Sequence, residues 1–110
     1  MTDAARREVD LVFDADCPHV PAAREQLAAA FEQLGLEPTW RELVNGADAF
    51  PDYARGYGSP TVLVDRRDVV GQAPPGASCC RVYRDASGAL TGVPTVAQIV
   101  EALRAVGEAS

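Results

Sequence analysis

A chain of 110 residues is long enough for one globular domain with a modest apolar core. Hydrophobic residues make up 47% and charged residues 24%, proportions that are ordinary for a soluble domain. The 16 acidic and 10 basic residues give a net charge of −6, and this negative field argues against binding to nucleic acid.

The sequence also bears on location and domain organisation. It has no apolar run of the roughly 20 residues that a membrane-spanning helix needs, and residues 1–8 lack the apolar core of a signal peptide. We therefore expect a cytoplasmic protein that does not bind membranes. We predict a flexible N-terminus over residues 1–8, a single domain over 9–107 and a tail over 108–110.

The first elements predicted are a strand and a helix. Residues 9–14 are apolar on both sides, as in the middle of a sheet covered by helices. Asp16 or Cys17 can act as the N-cap of the following helix, and Pro18 suits its first turn because the missing N–H has no partner there. Apolar residues recur at helical spacing up to Gly35, which predicts a left-handed cap.

A second strand is predicted over residues 36–44, where Pro38 favours an edge position because proline cannot donate to a ladder. A strand, a helix and a strand in so short a span imply a right-handed crossover and two parallel strands. Residues 45–58 contain several turn residues and could hold one short helix near 48–55.

The second half of the chain begins with a predicted hairpin. Residues 61–65 and 68–71 read as strands, and only Arg66 and Arg67 separate them, although this is not the favoured Asn-Gly turn. A loop follows over residues 72–78, and residues 79–83 could form a short extended piece before a turn at 85–88.

The last predicted element is a helix. Thr95 reads as its N-cap, and Gln98 three residues later completes a capping-box pattern. The apolar residues that follow at helical spacing predict its buried stripe: Val96, Ile99, Val100, Leu103 and Val106.

The resulting order, β-α-β-(α)-β-β-α, resembles that of thioredoxin over residues 9–106. The resemblance implies an α/β fold with a mixed sheet and helices on both faces. It also implies that Cys17, Pro60 and the segment with Cys79 and Cys80 share one edge of the sheet. In such folds a cis-proline faces the reactive thiol, so we expect the bond before Pro60 to be cis.

Cys17 is the candidate nucleophile. A free thiol has a pKa near 8.5, and a helix N-terminus with a nearby cation can lower it. His19, the only histidine, could supply that cation, whereas Asp14 and Asp16 act in the opposite direction. Pro18, Ser59 and Pro60 are the remaining candidates for positioning a substrate. The alternative is a purely structural role, in which Cys17 is only a small residue buried at a helix start.

The motif Cys17-Pro18-His19-Val20 resembles the dithiol motif Cys-Pro-His-Cys, but Val20 occupies the position of the second thiol. A disulfide formed on Cys17 must then be resolved by an external thiol or by Cys79 or Cys80. Adjacent strand residues point to opposite faces, so at most one of that pair should face Cys17. Both could equally be small buried residues.

Three further segments narrow the resemblance to a family. The run from Gly58 to Asp65 (Gly-Ser-Pro-Thr-Val-Leu-Val-Asp) resembles a group of small bacterial thioredoxin-like proteins, some of which contain selenocysteine. Cys80-Arg-Val-Tyr83 and Gly92-Val-Pro-Thr95 are similar to the same group. The resemblance implies a redox thiol at Cys17 and favours Cys80 over Cys79 as its partner.

Three functions follow from these observations. The leading hypothesis is thiol–disulfide exchange or thiol-dependent reduction, with no cofactor and with a thiol or disulfide as substrate. The second is binding of a soft metal or an organomercurial by converging thiolates, although no separate metal site is predicted. The third is an interaction module without catalysis, which could form a homodimer through its edge strand.

Overall fold

A computed structural model describes residues 8–71, 82–85 and 87–109, with the side chains of the last helix described as far as residue 105. Cys79 and Cys80 lie outside these residues. Within the described ranges, no helix combines the length and the apolar character that crossing a membrane requires.

The described chain contains six short strands, two α-helices and one 3₁₀ turn. In chain order they are β1 (Val9–Phe13), α1 (Val20–Gln33), β2 (Arg41–Val44), the 3₁₀ turn (Asp52–Ala54), β3 (Thr61–Val64), β4 (Arg67–Asp68), β5 (Tyr83–Arg84), β6 (Leu90–Thr91) and α2 (Val96–Ala109).

The central element is a mixed four-stranded sheet in the order β2-β1-β3-β4. Strand β1 pairs in parallel with β2 and antiparallel with β3, and β3 pairs antiparallel with β4. The parallel pairing of the first two strands and the edge position of β2 are both confirmed. The fold is therefore α/β.

The two faces of the sheet are covered differently. Helices α1 and α2 contact each other and pack on the face that carries Val9, Leu11 and Phe13. On the other face, Val12 and Leu63 pack under Phe50, Ala54 and Tyr57. The expectation of helices on both faces therefore holds only in part, because a segment with one 3₁₀ turn replaces the short helix predicted near 48–55.

Helix α1 begins later than the sequence indicates. Its N-cap is His19, which makes no side-chain capping bond, and Pro21 lies in its first turn. The prediction that Asp16 or Cys17 caps the helix and that Pro18 opens it is therefore wrong. Pro21 competes with Pro18 for the same role, and the turn closed by the Cys17 N–H and the Asp14 carbonyl delays the helix.

The C-terminal end of α1 is the predicted glycine cap. Gly35 has φ of +69°, which a side chain would disfavour. Its N–H donates to the Glu32 carbonyl at 3.0 Å, and the Leu36 N–H donates to the Phe31 carbonyl at 2.9 Å. This pair of bonds is a Schellman motif, which satisfies two carbonyls at the helix end.

Strands β2 and β4 are shorter than predicted. The regular pairing of β2 begins at Arg41, three residues after Pro38. The hairpin between β3 and β4 turns at Asp65 and Arg66, whose φ values are +50° and +69°. Two central residues with positive φ make a type I′ turn, which suits the twist of a hairpin even without glycine.

Helix α2 opens with the predicted capping box. The Thr95 N–H donates to Gln98 Oε1 at 2.9 Å, and the Gln98 N–H donates to Thr95 Oγ1 at 3.1 Å. The side chains of Ile99, Val100 and Leu103 are buried, as the apolar stripe predicts.

A second, two-stranded sheet consists of β5 and β6 and was predicted only as an extended piece and a turn. The carboxylate of Asp85 shapes the turn, because its Oδ1 accepts the Ser87 hydroxyl at 2.7 Å and the Ala89 N–H at 3.0 Å. These bonds, led by that of the Ser87 hydroxyl, lower the pKa of Asp85.

A buried carboxylate holds the second face of the sheet. Asp10 has no exposed surface, yet Arg41 Nε lies 2.8 Å from its Oδ1 and the Tyr53 hydroxyl lies 2.7 Å from its Oδ2. Arg41 also donates to the Tyr53 oxygen at 2.6 Å. The three side chains therefore tie the 3₁₀ turn to the two adjacent strands, β1 and β2.

We predict that Tyr53→Phe lowers the free energy of unfolding by about 1–3 kcal/mol, because Asp10 Oδ2 then loses its donor while buried. Chemical denaturation with circular dichroism measures the loss. In an Asp10→Asn background the same change should cost less, since the hydroxyl no longer meets a buried charge. An equal cost in both backgrounds would show that the bond to Asp10 contributes nothing.

We also predict a loss of stability in alkali. Burial and the hydrogen bond to Asp10 raise the pKa of Tyr53. The stabilising contribution of the neutral phenol is therefore complete below the unfolded pKa of about 10 and falls as the pH rises through the folded value. Unfolding experiments across this range should give a steeper decline for the wild type than for Tyr53→Phe.

Candidate functional site

The candidate site lies where β1 ends and β3 begins. Val12 is paired with Thr61 in the antiparallel register. One residue beyond β1, the Asp14 N–H donates to Ser59 Oγ at 2.9 Å. Ser59 is completely buried, so this bond joins the two strands at the edge from which Cys17 departs.

Cys17 lies in the turn between β1 and α1. Its N–H donates to the Asp14 carbonyl at 3.0 Å, and its side chain is partly buried against the core beneath the helices. It is a free cysteine that remains partly accessible to solvent. Two hydrogen bonds through Asp14 therefore link the backbone of Cys17 to Ser59.

The bond between Ser59 and Pro60 is cis, as predicted. Ser59 forms an isolated β-bridge, and Pro60 is completely buried. The hydroxyl of Tyr83 donates to the Pro60 carbonyl, and Thr61 Oγ1 donates to the Gly58 carbonyl at 2.8 Å. Ser59 and Pro60 therefore form the buried, hydrogen-bonded part of the site.

Pro18 and His19 form the outer rim, since both side chains are exposed. The His19 ring packs against the backbone of Gly92, where a Cβ would lie 2.7–2.8 Å from three ring atoms. Glycine at this position thus permits a close approach of the hairpin to the start of α1. This contact brings the segment before α2 to the same edge of the sheet as Cys17.

Three residues of the site are absent from the predicted set of catalytic and positioning residues. Asn45 Nδ2 donates to Asp14 Oδ1 at 2.9 Å, and its N–H donates to the Phe13 carbonyl at 2.8 Å, so it holds the end of β1 from the side of β2. Tyr83 donates its hydroxyl to the Pro60 carbonyl, and Gly92 lies against the His19 ring. The Gly92-Val-Pro-Thr motif signals Gly92, whereas Asn45 reads only as a turn residue.

The position of Cys17 alters one part of the electrostatic argument. It precedes the N-cap His19 by two residues and is not in the first turn of α1. The effect of a helix dipole falls off within that first turn. The described structure thus leaves Cys17 partly accessible and holds its backbone by a hydrogen bond, but it does not place Cys17 at a helix N-terminus.

The site as a whole brings Cys17, Pro18 and His19 to the edge formed by Ser59 and Pro60. Cys79 and Cys80 lie outside the described residues, so their predicted partnership with Cys17 stays a prediction. Within the described residues, no group of three or more histidine, cysteine, aspartate or glutamate side chains is arranged to hold a metal ion.

We predict that Gly92→Ala lowers the free energy of unfolding by about 1–2 kcal/mol, because the new methyl group overlaps the His19 ring. The same change in a His19→Ala background should cost far less, and this double-mutant cycle isolates the contact. Chemical denaturation of the four proteins measures it. Equal costs in both backgrounds would contradict the proposed overlap.

Comparison of the chain with models of known protein families, with curated proteins and with solved structures found no match. The resemblance described above therefore depends on the quoted motifs.

Proposed function

We propose that this chain is a thioredoxin-like thiol redox protein in which Cys17 is the nucleophile. The observation that carries the proposal is a free, partly exposed residue, Cys17, on a turn bonded through Asp14 to Ser59 beside Pro60. A thiol that is both fixed and accessible suits attack on a disulfide.

The arrangement of the sheet supports the thioredoxin-like part of the proposal. Strand β1 lies in the middle, with β2 parallel on one side and β3 antiparallel on the other. Cys17 lies four residues after the end of β1, and Pro60 immediately precedes β3. The resemblance in the sequence implies this same arrangement of strands around the thiol and the proline.

The proposed reaction exchanges one disulfide for another. The Cys17 thiolate attacks one sulfur of the substrate, forms a mixed disulfide with it and releases the other sulfur as a thiolate. A second thiol then attacks Cys17 Sγ, forms a disulfide with Cys17 and releases the remaining substrate thiol. The two electrons that reduce the substrate disulfide come from Cys17 together with its resolving thiol, which is Cys79, Cys80 or an external thiol.

The second thiol has to come from outside the motif. Val20 occupies the local position and is only 6% exposed, as part of the apolar core. Tyr83, three residues after Cys80, is bonded to the Pro60 carbonyl. The resemblance in the sequence favours Cys80, with Cys79 as the alternative, so we propose one of these two as the resolver.

We predict that Cys17→Ser reduces the rate of disulfide exchange at least about 100-fold, because a serine hydroxyl cannot replace the thiolate nucleophile. Reduction of a disulfide substrate with glutathione as the electron donor measures the rate. Val20→Ala serves as a control that leaves all three thiols in place.

Cys79→Ser and Cys80→Ser separate the two resolvers. The variant that lacks the resolver should accumulate the mixed disulfide on Cys17, which mass spectrometry detects, whereas the other variant should turn over normally. Full activity of folded Cys17→Ser would contradict the proposed function, because the nucleophile would then be another group.

A further inference from the structure

The hairpin of β5 and β6 carries exposed apolar residues. Val82 and Leu90 are each 64% exposed, and among the described residues they are the large hydrophobic side chains with this degree of exposure. Large apolar side chains that lie together on a surface mark interaction sites more often than single ones do. Val82 and Leu90 would form such a site if both lie on one surface of the hairpin.

The strand pairing places Val82 and Leu90 on the same side of the hairpin. Arg84 is paired with Leu90, and Tyr83 is paired with Thr91. Side chains alternate along a strand, so Val82 and Arg84 point to one face while the buried Tyr83 points to the other. Leu90, opposite Arg84, therefore shares the outer face with Val82.

The same face continues to the thiol site. Continued by one residue, the alternation of β6 places position 92 on the side of Leu90, and the His19 ring packs against Gly92 on its Cβ side. His19 lies two residues after Cys17. We define the docking strip as the side chains of His19, Val82 and Leu90.

The fold holds this strip in place. The buried Tyr83 donates its hydroxyl to the Pro60 carbonyl, and Gln98 Nε2 donates to the Arg84 carbonyl at 3.2 Å. The bonds of Asp85 fix the turn between the strands. The exposure of Val82 and Leu90 is thus a property of an anchored hairpin rather than of a frayed loop.

On the basis of the proposed function, we infer that the docking strip binds an apolar segment of the polypeptide whose disulfide Cys17 attacks. Leu90 lies two strand residues from position 92, a span of roughly 7 Å. A small disulfide cannot contact both His19 and Leu90 while it reacts, whereas an extended peptide can. The substrate would carry aliphatic side chains within a few residues of its cysteine.

A second copy of this chain fits the strip less well. Stable protein interfaces bury roughly 1,200 Å² or more in total, and two aliphatic side chains beside one histidine supply only a small part of that area. Transient contact with a substrate needs less. The strip therefore suits a partner that is held briefly while the covalent exchange takes place.

The test uses a full-length lone-thiol protein, Cys79→Ser with Cys80→Ser, in which Cys17 is the remaining thiol. Two short peptides carry one cysteine each as a mixed disulfide with thionitrobenzoate, followed at two positions by leucine or by serine. Attack by Cys17 joins the peptide to Cys17 and releases thionitrobenzoate, whose absorbance gives the rate.

We expect the leucine peptide to react about fivefold faster, which is the gain expected from burying roughly one methylene group. Adding Val82→Ser and Leu90→Ser should remove this preference. Ala105→Ser, at an exposed position roughly 15 Å along α2 from its start, should retain it. The rate with bis(2-hydroxyethyl) disulfide should be the same in all three proteins.

The experiment separates failure of the docking strip from failure of the proposed function. Equal rates with the two peptides, or a preference that survives the two serine substitutions, would overturn the docking strip and leave the thiol chemistry intact. No reaction with either peptide, from a Cys17 that iodoacetamide still alkylates, would overturn the proposed function and the strip together. A dimer in sedimentation that the serine substitutions dissociate would assign the strip to self-association instead.

Discussion

The hydrogen bond from the Asp14 N–H to Ser59 Oγ is the interaction on which the candidate site depends. It forms where two central strands diverge, between the partly buried Asp14 and the completely buried Ser59. A backbone donor left unpaired there would cost about as much as a lost buried hydrogen bond. Because Cys17 is bonded to the carbonyl of the same Asp14, the position of the thiol is set by β3 as well as by β1.

The segment between β2 and β3 fixes both ends of β1. Tyr53 reaches the buried carboxylate of Asp10 near the start of β1, and Asn45 reaches Asp14 just after its end. A regular helix is not needed for this purpose, since a 3₁₀ turn and three aromatic side chains cover the face. Asp10 is acceptable in the interior because Arg41 and Tyr53 satisfy its two oxygens, as a buried charge requires.

Sequence reasoning succeeded where the signal was local. The capping box of Thr95 and Gln98 and the glycine cap at Gly35 each depend on residues a few positions apart, and both were predicted. The cis bond at Pro60 was predicted from a resemblance of the surrounding motif. The start of α1 was misplaced because Pro18 and Pro21 are equally compatible with a first turn, and only the turn at Cys17 decides between them.

The contacts that could not be predicted join residues far apart in the sequence. Asp10 and Tyr53 are 43 residues apart, and Tyr83 and Pro60 are 23 residues apart. Nothing in the local pattern of Asp10 distinguishes it from an exposed aspartate, because its burial follows from the pairing of β1 with two neighbours. Gly92 is similar, since its role appears only when the His19 ring is placed against it.

The burial of Val20 bears on how the proposed reaction is completed. At the position where a dithiol motif has its second cysteine, this chain places a core residue that packs with Leu27 and Ile99. A thiol there would be enclosed by the two helices and could not reach a substrate without disturbing the core. The chain thus uses this position for the apolar core, and in the proposed reaction the second step falls to another thiol. Under the proposed function, the anchored hairpin near Cys17 has a physical purpose, because a mixed disulfide without a local resolver would persist longer and would benefit more from a surface that orients its substrate.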